Sequence, residues 1–199
     1  MKIGILISGR GSNMLAIAEA VRSGLITDSE VALVISDKAQ AQGLEKAKKL
    51  GIETLAIARK GRKRDEHDAE IIAELKKRDV ELVCLAGYMR LLSSDFVKAF
   101  PNRILNIHPS LLPSFKGLNA HEQAIEYGVK ISGCTVHFVD EHLDHGAIIL
   151  QKAVEVEDND TAETLSKRII KYEHEAYVEA VKLIVSGNYE IKGRKVIYL

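Results

Sequence analysis

The sequence predicts an α/β fold, an open and mostly parallel Rossmann-like sheet with helices on both faces. Three observations carry this. Short apolar runs rich in Ile, Val and Leu alternate with stretches of helical periodicity along most of the chain. The run Leu82–Ala86 is apolar throughout, as a parallel strand covered on both faces requires. The first apolar run leads through a glycine-rich turn into a helical pattern, a strand–turn–helix unit. In such folds ligands bind beyond the carboxyl ends of the strands, so those turns are where function is to be sought.

Lys2–Ile7 reads as a buried strand, Ser8–Asn13 as the turn, and Met14–Val21 as a helix with Leu15, Ala18 and Val21 on one face. The turn has two readings. Glycines let a backbone approach an anion, and a helix N-terminus offers unpaired N–H groups and a positive dipole end. Alternatively it is a plain tight turn with Ser12 or Asn13 as the helix cap. Val31–Ser36 is a second strand, Ala41–Leu50 a helix closed by Gly51, and Ile52–Ala58 a third strand. The basic loop 59–64 reads mainly as solvated surface, with Arg64 ahead of a helix over 65–78 and within reach of an anionic ligand. After the fourth strand, Leu82–Ala86, the loop Gly87-Tyr88-Met89-Arg90-Leu91-Leu92 either lines a pocket for a flat heteroaromatic ring or starts the helix capped by Ser93.

The segment Ile104–Gly117, I-L-N-I-H-P-S-L-L-P-S-F-K-G, is the centre of the chain. Residues two apart on a strand face the same way, so Asn106 and His108 emerge side by side where the strand ends. Pro109 and Pro113 stiffen the loop that follows. Asn106 can donate to a developing oxyanion, and His108 can move a proton near neutral pH. Next come a helix with Asn119 and Glu122 as a capping box, a long strand Ile131–Val139, a polar loop 140–146 and a strand Ala147–Val156. A final helix is capped by Asp160 with Glu163, and its stripe is Leu165, Ile169, Tyr172, Ala176, Ala180 and Ile184. A small hairpin, Tyr189–Ile191 with Val196–Tyr198, closes the chain.

Composition excludes several classes. Lys plus Arg equals Asp plus Glu at 28 each, which argues against nucleic acid as the main partner. No apolar run approaches a membrane span and no leader is evident. Cys84 and Cys134 sit in apolar strands as small hydrophobes. The expected location is cytoplasmic. His137, Asp140, His142, Asp144 and His145 are all potential metal ligands, but their spacing matches no established pattern and the expectation is no metal. The other reading makes Asp144 an acid–base partner of His108.

At this point the residues resemble a known family. The strand with Ser8-Gly9-Arg10-Gly11-Ser12-Asn13, the segment Asn106–Gly117, Gly133-Cys134-Thr135-Val136-His137, and Asp144-His145-Gly146 are similar to the phosphoribosylglycinamide formyltransferases, of the formyltetrahydrofolate-dependent formyltransferase family. The resemblance spans nearly the whole chain. It implies a single formyltransferase-type domain over 1–199, with a nucleotide- and phosphate-binding half at about 1–100 and a folate and catalytic half at about 101–199. It implies formyl transfer from 10-formyltetrahydrofolate, as co-substrate, to glycinamide ribonucleotide, with no metal or redox cofactor. Small molecules would be its partners; a homodimer is compatible. By carry-over, Asn106, His108 and Asp144 are the catalytic trio. Gly11, Ser12, Asn13 and Glu173 hold the nucleotide substrate and its phosphate. Arg64, Met89, Arg90, Leu91, Leu92, Asn106 and Asp140 surround the folate.

Two departures from the family pattern stand out. His145 follows Asp144 where a small residue is usual, and it is expected to point to solvent. Ile170 replaces a polar residue, with Lys171 beside it as a substitute contact. Three other readings stay open: a formyltetrahydrofolate hydrolase, a nicotinamide-dependent oxidoreductase and a non-catalytic nucleotide-binding protein. The absence of a third glycine in the turn counts against the oxidoreductase.

Overall fold

In the computed structural model, which describes residues 1–199, alternation of strand and helix runs to Asn106 and then gives way to mixed pairing. The chain divides into two compact units, Met1–Asn106 and Ile107–Leu199.

The N-terminal unit contains β1 (Lys2–Ile7), α1 (Ser12–Arg22), β2 (Glu30–Ser36), α2 (Gln42–Lys49), β3 (Thr54–Ala56), α3 (Arg64–Lys76), β4 (Leu82–Leu85), α4 (Ser94–Ala99) and the start of β5 (Ile104–His108). Its strands lie in the order β3-β2-β1-β4-β5, every pair parallel. β1 is buried from Ile3 to Ile7 because helices cover both faces. A side chain at Gly4 would meet Leu75 of α3, while Ile7, on the opposite face, lies against Gly43 of α2. β2 and β4 supply further buried Val, Ile and Leu, and this two-sided covering is what fixes the strand edge where the turns emerge.

The C-terminal unit contains α5 (Ala120–Tyr127), β6 (Ile131–Phe138), β7 (Ile148–Glu155), α6 (Ala162–Ser186), β8 (Tyr189–Lys192) and β9 (Lys195–Tyr198). The strand order is β6-β7-β9-β8, with β6/β7 and β8/β9 antiparallel and β7/β9 parallel. α6 packs on β6, β7 and α5. No helix is long and apolar enough to cross a membrane.

Several boundaries differ from expectation for identifiable reasons. α1 starts at Ser12, with Gly11 in the left-handed region at the N-cap, so neither Ser12 nor Asn13 is the cap. Arg64 is the first residue of α3 rather than a loop residue ahead of it. Asn119 does sit at the N-cap of α5, but at φ 58° it makes no side-chain capping bond. For α6 the cap is Thr161, paired reciprocally with Thr164. Asp160 is occupied instead by Arg168 and Thr164. The buried stripe of α6 carries Glu173 and Tyr177, while Tyr172 faces outward.

Candidate active site

In the N-terminal unit the turn after β1 is shaped by two glycines. Gly11 has φ 69°, and a Cβ there would sit 2.8 Å from the Cα of Gly43. Only glycine at both positions lets the two backbones come this close. Gly43 N donates to Gly9 O (3.0 Å), and Lys46 Nζ donates to Arg10 O (2.9 Å), so α2 pins the turn from behind. The first intrahelical bond of α1 runs from Leu15 N to Gly11 O. The leading amides of the helix therefore point along its axis, with the positive dipole end, in the manner of an anion cradle.

The loop after β4 is tied to this turn. Ser8 N donates to Gly87 O (3.1 Å), and Met89 N donates to Ser8 Oγ (3.0 Å). Met89 and Leu91 are 66% and 59% exposed, and α4 begins only at Ser94, with Ser93 Oγ accepting from Phe96 N. These side chains thus do not start a packed helix. Leu92 is half-buried. Arg90 Nε donates to the buried carboxylate of Asp37 (2.7 Å), so much of its charge is spent within the unit. Burial, with Asp68 and Asp37 nearby, pushes the Tyr88 phenol well up and keeps it neutral. Arg64 is exposed on the first turn of α3. Asn106 pairs in register with Leu85, at the carboxyl end of the parallel strands.

In the C-terminal unit the ring of His108 is buried between two acceptors. Its Nε2 lies 2.7 Å from Phe115 O, and its Nδ1 lies 3.4 Å from Asp144 Oδ2. A carbonyl oxygen only accepts, so Nε2 carries a proton. Asp144 lies against two histidine rings and is held by a backbone donor. Gly117 N donates to Oδ2 (2.8 Å), and Oδ1 faces His137 Nε2 (3.7 Å). Its backbone is left-handed, φ 45°, an uncommon state for a residue with a side chain and one that these contacts must stabilise. Burial lowers the His137 pKa and keeps that ring neutral, while its Nδ1 faces Phe138 O at 2.7 Å.

The loop after His108 is fixed by side chains as well as by its prolines. Thr135 Oγ1 donates to Ser110 O (2.7 Å) and accepts from Leu112 N (3.0 Å). Gln151 Nε2 reaches both Leu112 O and Thr135 Oγ1. On α6, Glu173 is 9% exposed and lies close enough to Cys134 to act on it. Burial first, and then that carboxylate, push the thiol up to about 12, which makes Cys134 inert. Ile170 is half-buried and Lys171 exposed.

The loop 140–146 brings Asp140, His142 and His145 together, with three ligating atoms within 4.8 Å of one another. His145 does not simply point to solvent. Its side chain is 41% exposed, Nδ1 lies 2.7 Å from Asp140 Oδ2, and Nε2 contacts the guanidinium of Arg194. Gly146 is obligatory, because a Cβ there would overlap the carbonyl of Phe138. Sequence reasoning passed over Gly43, Gln151 and Arg194, and gave Thr135 no role of its own. Each acts on a residue far away in the chain, and no local pattern marks it.

Known proteins share this arrangement of elements. The sequence model described as formyl transferase matches residues 1–181. Phosphoribosylglycinamide formyltransferase of Bacillus subtilis (strain 168) is 42% identical over 188 residues, covering 94% of this chain and 96% of that protein. The trifunctional purine biosynthetic protein adenosine-3 of Gallus gallus is 48% identical over 96% of this chain, but the match spans only 19% of that much longer protein. The crystal structure of glycinamide ribonucleotide transformylase 1 from Symbiobacterium toebii superposes with a TM-score of 0.98 at 50% identity, over 100% of this chain and 94% of that one. With a matched family model over most of its length and a full-length relative above two-fifths identity, the chain belongs to the formyl transferase family.

Proposed function

We propose that this chain transfers the formyl group of 10-formyltetrahydrofolate to the amine of glycinamide ribonucleotide, a step of purine synthesis. The observation that carries the reading is the buried His108–Asp144 pair at 3.4 Å, in a chain of the formyl transferase family. The substrate amine attacks the formyl carbon, and negative charge develops on the formyl oxygen. Asn106 and His108 donate to that oxyanion. The Phe115 carbonyl is the present acceptor at Nε2, and an oxyanion outcompetes it because charge-assisted hydrogen bonds are the stronger kind. Asp144 orients the imidazole and takes part in moving the proton that leaves the amine. One C–N bond forms, another breaks and a proton moves, so no redox cofactor is required.

On this reading Gly11, Ser12 and Asn13 take the substrate phosphate at the N-terminus of α1, and Glu173 contacts the rest of the nucleotide. Arg64, Met89, Arg90, Leu91, Leu92 and Asp140, with Asn106, surround the folate. A cytoplasmic location fits two cysteines that form no disulfide. The test is formyl transfer with and without glycinamide ribonucleotide, on wild type and His108→Ala. Turnover that needs the nucleotide and falls at least about 100-fold in the variant supports the reading. Equal turnover without nucleotide would identify a hydrolase, and no folate turnover would return the chain to nucleotide binding alone.

A further inference from the structure

We propose that Arg194 and His145 are positioning residues that strap the loop carrying Asp144, so that the C-terminal hairpin is a working part of the folate-binding half of the protein. This rests on the function proposed above. Residues 140–146 leave β6 and return to β7, and their neck is closed by Phe138 N donating to Ala147 O (2.9 Å). The hairpin holds both sides of that neck. The Tyr189 ring lies 6.1 Å from that of Phe138, Lys195 pairs with Ile148, and the Tyr198 hydroxyl donates to Ile149 O. From the hairpin turn, Arg194 reaches across 49 residues of sequence to His145 Nε2.

The chemistry of that contact fixes a proton. A guanidinium has donors and no acceptor, so Nε2 must accept. The ring proton then sits on Nδ1 and is donated to Asp140 Oδ2 at 2.7 Å. Asp140 Oδ1 in turn accepts from His142 N at 2.9 Å. A cation, a neutral imidazole and a carboxylate thus run in series from the hairpin into the loop, ending four residues before Asp144. The same atoms could be read as a metal site. Arg194 weighs against it: a metal on His145 Nδ1 would move the ring proton to Nε2, directly against the guanidinium, whereas a metal-bound imidazole normally turns that N–H to an acceptor. The hairpin lies beyond residue 181, where the match to the family model ends.

The experiment compares wild type, Arg194→Ala, Arg194→Lys and His145→Asn as full chains. It measures steady-state constants for both substrates and amide exchange in residues 139–146. Arg194→Ala should raise KM for 10-formyltetrahydrofolate about fivefold, as expected for a partly exposed charge-assisted bond, with kcat and the nucleotide KM within about twofold. Exchange in the loop should quicken about tenfold on the same ground. His145→Asn keeps a donor for Asp140 but offers Arg194 no ring nitrogen, and should match Arg194→Ala. Arg194→Lys should recover most of both effects. An unchanged donor KM and unchanged loop exchange in Arg194→Ala would overturn the proposal. So would stoichiometric Zn²⁺ binding by calorimetry that is lost in His142→Ala. Should wild type fail to transfer formyl, the activity reading fails while the exchange arm still decides whether Arg194 holds the loop.

Discussion

The two units build their candidate sites from different material. In the N-terminal unit the proposed anion cradle is backbone: a left-handed Gly11, a close approach to Gly43 and the leading amides of α1. In the C-terminal unit the centre is side chains gathered from distant positions, namely His108, His137 and Asp144, and six of the seven histidines lie in this unit. A backbone site recognises charge and shape, and depends on residues that lack side chains. A side-chain site depends on protons being in the right places, and fails when a polar atom is lost.

That contrast can be broken or sharpened by substitution. The largest effect is expected for Asp144→Ala, which removes the acceptor facing His108, His137 and Gly117 N. Its kcat should drop by roughly 100- to 1,000-fold with the fold retained, read by steady-state kinetics beside a thermal melt. Gly11→Ala comes next. A Cβ at φ 69° and 2.8 Å from Gly43 Cα should cost about 1–3 kcal/mol in chemical denaturation and raise the KM for the phosphate-bearing substrate far more than it lowers kcat. A reversed split, with kcat lost and KM kept, would mean that the turn does not hold the phosphate.

Acidification should separate the units more gently. Burial lowers the pKa values of His121, His137 and His174 from 6.5, and all three lie in the C-terminal unit. Below about pH 6.5 the unfolded chain binds protons that the folded rings refuse, so stability is complete above that pH and falls beneath it. Hydrogen exchange, corrected for intrinsic rates, should therefore quicken in Ile107–Leu199 before Met1–Asn106 as pH is lowered. Equal acceleration in both units would defeat this. Smallest of all, Ser8→Ala removes the acceptor for Met89 N and should cost about 1 kcal/mol, with a modest rise in donor KM.

How much of this was readable in the chain depended on distance along it. The first strand, turn and helix and the Asn106–His108 pair were legible because strand and helix periods are local. The helix stripe went wrong at one step for a physical reason. Tyr172 and Glu173 are neighbours, and hydropathy puts the aromatic inside, yet the carboxylate is the buried one. Burying a charge is costly, so no pattern of apolar residues announces it. Asp160 looked like a cap because capping depends on residue type, but Arg168 two turns later claimed it and left Thr161 in the role. The contact of Gly43 with Gly11 and that of Arg194 with His145 span 32 and 49 residues, and neither glycine nor arginine carries a local mark of its partner.

The two cysteines give the molecule a pair of internal reporters. Cys84 and Cys134 are both inaccessible, and one lies in each unit. A thiol reagent that only labels exposed sulfur will find neither in the native chain and one at a time as each unit opens. Mass analysis of which cysteine is modified first, along a denaturant series, would rank the two units by local stability without any engineered probe.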